Sequence, residues 1–169
     1  MKTLKTILSV FAIAAVFSAG AYAQETADVE VTAEVVTALT LTPSNIDLGT
    51  IQTGAASILD ANSNDDATEA NIGTSASAGS IQIDGSSGAS IDVSWTNATL
   101  DNGTETLTFT PSVWNGSSEL TTPGGTTETI SGGSITLDVG GELDAPSGSG
   151  TYDTTTGTGE AITFTVQYN

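Results

Sequence analysis

The residues that could carry chemistry in this chain are nearly all carboxylates. Twenty Asp and Glu stand against two Lys or Arg, and there is no His and no Cys. That inventory excludes Ser-His-Asp and Cys-His triads, thiol nucleophiles and His- or Cys-ligated metals. What remains is oxygen chemistry. Two well-spaced carboxylates can hydrolyse a glycosidic bond, one as acid and the other as base or nucleophile. Each acidic residue here falls where a solvated face or a turn would place it, so the chain is read as non-catalytic. Oxygen ligands can also hold calcium. Asp60-Ala61-Asn62-Ser63-Asn64-Asp65-Asp66 alternates oxygen donors as a calcium loop does, with Asp60, Asn62, Asn64 and Asp66 as candidate ligands. Asp65 stands where an EF-hand needs Gly, and Asn71 where it needs a bidentate Glu, so a solvated acidic loop is the plainer reading. Stacking on sugar rings is the third chemistry. Trp95 keeps phase with Ile91 and Val93 and belongs to a core. Trp114 lies in an irregular stretch and is the candidate exposed platform.

The elements that must position these residues are strands. Ala27–Leu41 is apolar at Ala27, Val29, Val31, Ala33, Val35, Leu39 and Leu41 and polar at Asp28, Glu30, Thr32 and Glu34. Period two gives one apolar face and one wet face, which is a β-strand. Its length is unusual, because globular strands run about 5–6 residues. The strand either crosses between two sheets near Thr37-Ala38, or its first half leaves the domain and pairs with a neighbour through Val29, Val31, Ala33 and Val35. Both readings stay open at the level of sequence.

Further alternation marks Ile46–Ile51, Ser80–Asp84, Ala89–Trp95, Glu105–Thr110, Thr127–Ile130, Ser134–Val139 and Glu160–Tyr168. Gly, Asn and Asp turn signals separate them. Gly85-Ser86-Ser87-Gly88 predicts a hairpin between the second and third of these. Gly54–Ser77 reads as a long loop with at most one short strand. Pro111–Leu120 reads as an irregular edge, and Gly140–Gly150 as a loop with Leu143 buried. No helical period is present beyond residue 23. The expectation is an all-β, immunoglobulin-like Greek-key β-sandwich of about seven to nine strands, with a closed barrel as the lesser alternative.

Residues 1–23 are read as a secretory signal peptide. Lys2 and Lys5 supply the positive start, Ile7–Phe17 the apolar stretch, and Ala21-Tyr22-Ala23 the small-x-small cleavage site. Residues 24–169 then form one domain, with 24–35 as a candidate donor-strand extension. Both lysines lie in the leader and all 20 acidic residues beyond it. Without cations the remaining chain cannot neutralise phosphates, which excludes nucleic acid and attachment to an anionic membrane. No later apolar run is long enough to span a bilayer. Salt bridges, disulfides and lysine isopeptides are unavailable, so core and sheet must carry stability.

Val35-Val36-Thr37-Ala38-Leu39-Thr40-Leu41 followed by Ile46-Asp47-Leu48-Gly49-Thr50-Ile51 resembles the opening of a family of small secreted bacterial β-sandwich domains of unknown function. Ile81-Gln82-Ile83-Asp84-Gly85, Leu137-Asp138-Val139-Gly140-Gly141-Glu142-Leu143 and the closing Thr163–Asn169 extend the likeness over nearly all of residues 24–169. The family's aromatic before the glycine is absent, since Leu48 precedes Gly49. That family is remotely similar to chaperone–usher pilins, whose incomplete immunoglobulin fold receives a donated N-terminal strand; Tyr168 and Gly157 match a penultimate Tyr and an upstream Gly. The pilin disulfide is missing. The resemblance implies a secreted or cell-surface structural subunit of a pilus-like filament, acting in adhesion or biofilm. The implied partners are other copies of itself, a periplasmic chaperone and an outer-membrane assembly factor. The alternative is a monomeric secreted or surface module that binds carbohydrate or calcium.

Overall fold

Ten strands, all antiparallel, organise the chain in a computed structural model that describes residues 29–121 and 125–169. Residues 1–28, which include the stretch read as a signal peptide, and residues 122–124 lie outside the described residues. The strands are β1 Thr40–Ser44, β2 Ser57–Leu59, β3 Gly79–Asp84, β4 Ser90–Trp95, β5 Ala98–Asp101, β6 Thr106–Asn115, β7 Ser118–Glu119, β8 Thr126–Thr129, β9 Ser134–Leu143 and β10 Phe164–Tyr168. A seven-stranded sheet runs β1-β3-β9-β6-β5, with β2 on β9 and β7 on β6. A three-stranded sheet runs β10-β4-β8. The expected all-β sandwich is the observed architecture. The chain divides into residues 1–34 and 35–169. In the first unit, the described residues 29–34 are exposed and form no strand. All ten strands belong to the second.

Alternation decides which side chains meet. Ile81 and Ile83 of β3, Val113 of β6 and Ile135, Leu137 and Val139 of β9 face Ile91, Val93 and Trp95 of β4 across the core. A second cluster, Ala98, Leu107, Phe109 and Leu143, fills the end built by β5 and β6. Each buried Ile, Leu or Val side chain stabilises the fold by roughly 1.5–3 kcal/mol relative to exposure. Trp95 is buried as its phase requires, with its ring 6.1 Å from that of Phe164.

Four expectations are corrected. The opening strand begins only at Thr40, because β3 runs alongside only from there; Ser44 pairs with Ser80 at its far end. Upstream, side-chain hydroxyls hold the backbone instead: Thr37 N donates to Ser86 Oγ at 2.7 Å, and Tyr168 OH donates to Thr37 O at 2.6 Å. Next, β3 and β4 are not a hairpin. They lie in opposite sheets, and the link between them is held by the 130–133 turn. Gly85 N donates to Gly133 O at 3.0 Å, and Gly88 N to Ile130 O at 2.8 Å. The stretch from Pro111 is not irregular. β6 continues through it in unbroken register with β9, pairing Pro111 with Gly141. The other side of β6 is open between β5 and β7 at that point, so a residue without an N–H is tolerated there. Last, β9 runs straight through Gly140-Gly141. A Cβ at Gly140 would collide with Leu59 O and Ala61 N, and one at Gly141 with Thr110 O. The two glycines let β2 and β6 close on β9 from both sides.

Candidate interaction edge

β4 continues almost directly into β5, and the C-terminal segment follows them both. Asp153 bridges to Asp101, Glu160 to Thr99, and Phe164–Tyr168 pairs with Trp95–Ile91. The ladder's phase fixes which way β10 points its backbone. Thr96 N donates to Thr163 O at 3.2 Å, and Asn169 N to Ser90 O at 3.1 Å. Those two pairs lie on the same register as β10 and β4 and bracket it. Antiparallel pairs alternate between bonded and non-bonded. Hence Thr165 and Gln167 exchange bonds with β4, while the N–H and C=O of Phe164, Val166 and Tyr168 point the other way. Among the described residues, no strand lies on that side. The side chains of the same three residues face the core and are only partly buried. Leu39 is partly buried beside them, and Leu41, on the face shared with Ile83, remains 40 % exposed. An apolar strip and a row of unpaired backbone groups therefore coincide on one edge.

The other edges are blunted by the devices that keep sheets from pairing. β1 contains Pro43, β7 has two residues and ends in Glu119, and β8 carries Glu128. The far side of β5 is met by Glu160 and Asp153. β10, Phe-Thr-Val-Gln-Tyr, has no charge and no Pro, and among the described residues no strand lies on its outer side. Val29, Val31 and Val35, the apolar phase of the N-terminal segment, are 85 %, 87 % and 94 % exposed, and Ala33 is exposed with them.

Two of the candidate calcium ligands, Asn62 and Asn64, turn their side-chain amides onto the protein. Asn62 Nδ2 donates to Asp138 Oδ2 at 2.8 Å and to Gly116 O at 3.1 Å, and Asn64 Nδ2 to Gly116 O at 3.3 Å. Asn62 Oδ1 accepts Asn64 N at 2.9 Å. The loop is thus a strap over β6 and β9. Among the described residues, one buried carboxylate oxygen of Asp60 has no hydrogen-bond partner; burial, and next the charge of Asp65, raise its pKa. Asp66 is exposed. Trp114, expected as an exposed platform, is instead buried at 8 % exposure, and its indole N–H donates to Ser112 Oγ at 2.8 Å. The sequence signal that misled was Pro111, which suggested an irregular stretch where β6 keeps Leu107, Phe109 and Val113 buried in one phase and buries Trp114 on its other face as well.

Sequence reasoning missed a set of carboxylates held without any cation. Glu105 accepts from Tyr152 OH, from Ser147 N and Oγ at 3.0 and 2.7 Å, and from Gly148 N at 3.0 Å. Those bonds, Tyr152's foremost, lower its pKa to about 2. Asp101, buried, accepts from Thr158 N, Gly103 N and Thr158 Oγ1, and these bonds, that of Thr158 N foremost, lower its pKa. Gly157 leaves room for this, since a Cβ there would strike Asp101 Oδ2. Asp153 accepts from Thr155 and Thr156 backbone and hydroxyl groups, with the same effect. Amides and hydroxyls replace the missing Lys and Arg, and they tie residues 147–160 to the β5–β6 hairpin. The Asp101-Asn102-Gly103 turn was legible, but its distant partner Thr158 was not. Compared with protein-family models and with curated proteins, the sequence matches none.

Proposed function

We propose that this chain is a non-catalytic, exported structural protein, a subunit of a cell-surface filament or pilus-like assembly built by β-strand donation and serving adhesion or biofilm. The observation that carries the reading is a complementary pair. An alternating segment, unpaired among the described residues, offers Val29, Val31, Ala33 and Val35, and β10 offers an uncharged edge with partly buried apolar residues behind it. Laid beside β10, a donated strand would take up the backbone groups of Phe164, Val166 and Tyr168 and cover their side chains. Head-to-tail donation does not close on itself, so it grows a fibre. The leader read in residues 1–23 and the likeness to pilin-related sandwiches support export and a surface location.

The chain has no cysteine, so disulfide trapping has no background. One variant carries Val166→Cys, and a second carries Val31→Cys or Ala33→Cys. On mixing and oxidation, a disulfide between the two chains is expected for the donor position that the register brings opposite Val166. Thr129→Cys on β8, the opposite edge of the three-stranded sheet, is the comparison edge and is expected to stay unlinked. Equal linking to both edges, or to neither, overturns the reading.

A further inference from the structure

Strand donation, if it occurs here, joins two surfaces that both lack cations. The inference rests on the reading above and concerns what controls it. The apolar phase of the donor leaves Glu30 and Glu34 on the opposite, wet phase. With Val29, Val31, Ala33 and Val35 turned to the core, both carboxylates stand on the outer face of the three-stranded sheet. There the neighbouring side chains are Thr165 and Gln167 of β10, and next to them Ser94 and Asp92 of β4. Asp92 accepts from Thr127 Oγ1 at 2.8 Å, and a shallow groove of about 390 Å³ lined by Asp92, Ser94, Thr127, Thr165 and Gln167 opens at that place. The donor's carboxylates would lie two strand spacings from β4, roughly 10 Å from the row of Asp92. No Lys, Arg or His follows residue 5, so no side chain can offset them.

We infer that this charge gates assembly: Glu30 and Glu34 hold subunits apart at low ionic strength, and dissolved ions release them by screening, without a bound metal. A separation of roughly 10 Å is well inside the Debye length of about 30 Å at 0.01 M salt, comparable with about 8 Å at 0.15 M, and beyond about 3 Å at 1 M. The gate therefore opens over the range from dilute buffer to physiological and higher salt.

The test measures the lowest concentration of residues 24–169 that yields oligomers, by light scattering, from 10 mM to 1 M NaCl. That concentration is expected to fall at least about tenfold across the series. The double variant Glu30→Gln/Glu34→Gln should assemble in dilute buffer nearly as readily as the parent does in high salt. Asp66→Asn/Glu69→Gln, the same charge change on an exposed loop, should keep most of the salt dependence. CaCl2 at matched ionic strength should act like NaCl. Salt-independent assembly, equal effects of the two double variants, or full assembly at micromolar calcium would each overturn the gate while leaving strand donation standing. No oligomer under any condition would instead overturn strand donation, and the gate with it.

Discussion

Tyr168→Phe removes one oxygen and tests how the chain is fastened where it enters the domain. The phenol accepts from Ser86 N at 2.8 Å and donates to Thr37 O at 2.6 Å. It joins β10, the β3–β4 link and the approach to β1 at a single atom. The ring itself packs on the core and would remain in Phe. Each net hydrogen bond contributes about 0.5–1.5 kcal/mol, and leaving a buried donor unpaired costs about 1–3 kcal/mol. The Ser86 bond is part-buried and the Thr37 bond exposed, which places the expected loss at about 1–3 kcal/mol, nearer the lower end if water reaches Ser86 N. With a urea slope of about 1–3 kcal/mol per molar for a chain of this size, the unfolding midpoint should drop by roughly 1 M. Equilibrium unfolding of the monomer in dilute buffer, followed by tryptophan fluorescence from the buried Trp95 and Trp114, is the assay. Ser86→Ala deletes the acceptor of Thr37 N but leaves Ser86 N in place, so the two losses should be coupled and less than additive. A Tyr168→Phe midpoint within error of the parent would refute the fastening role.

Acid should loosen the chain. Glu105, Asp101 and Asp153 are held below their ordinary pKa, so their stabilisation is full above about pH 4.5 and is lost as pH falls toward about 2. Urea midpoints measured from pH 7 to pH 2 should fall over that window, and less steeply in Glu105→Gln. Asp60 is shifted upward, so the penalty on its charged form should disappear as it protonates, and Asp60→Asn should raise the melting temperature at pH 7. Gly140→Ala should cost about 1–3 kcal/mol, because the added methyl strikes the backbone of Leu59 and Ala61; hydrogen exchange should show β2 opening first. Leu137→Ala, at a fully buried position facing β4, should cost about 2–5 kcal/mol in the same unfolding assay.

The strands themselves were legible, because period two shows directly in Ile81/Ile83, Ile91/Val93/Trp95, Leu107/Phe109, Ile135/Leu137/Val139 and Phe164/Val166/Tyr168. Pairing was not. Gly85–Gly88 has hairpin composition, yet the link crosses between sheets because its amides bond to residues 130–133, which local composition cannot reveal. Alternation likewise marked Ala27–Leu41 as one strand, but a ladder needs a second strand, and among the described residues β3 pairs with it only from Thr40. Gly140-Gly141 signalled a turn where close approach of β2 and β6 was the cause. The donor half of the proposed interaction edge was visible as the apolar phase Val29, Val31, Ala33 and Val35. The acceptor half depends on which backbone groups β4 leaves unused, a property of register.

Strand donation is tested most directly by the size of residues 24–169 in 150 mM salt, by light scattering and negative-stain imaging, compared with Val31→Asp. Val31 is 87 % exposed and forms no strand, so the substitution should leave the domain's own stability within about 0.5 kcal/mol. In a donated strand, the same change would place a carboxylate against Phe164, Val166 and Tyr168. The account predicts filaments or a ladder of oligomers from the parent and a folded monomer from the variant. A parent that stays monodisperse and monomeric up to 1 M salt, or a Val31→Asp chain that assembles as well as the parent, would contradict it.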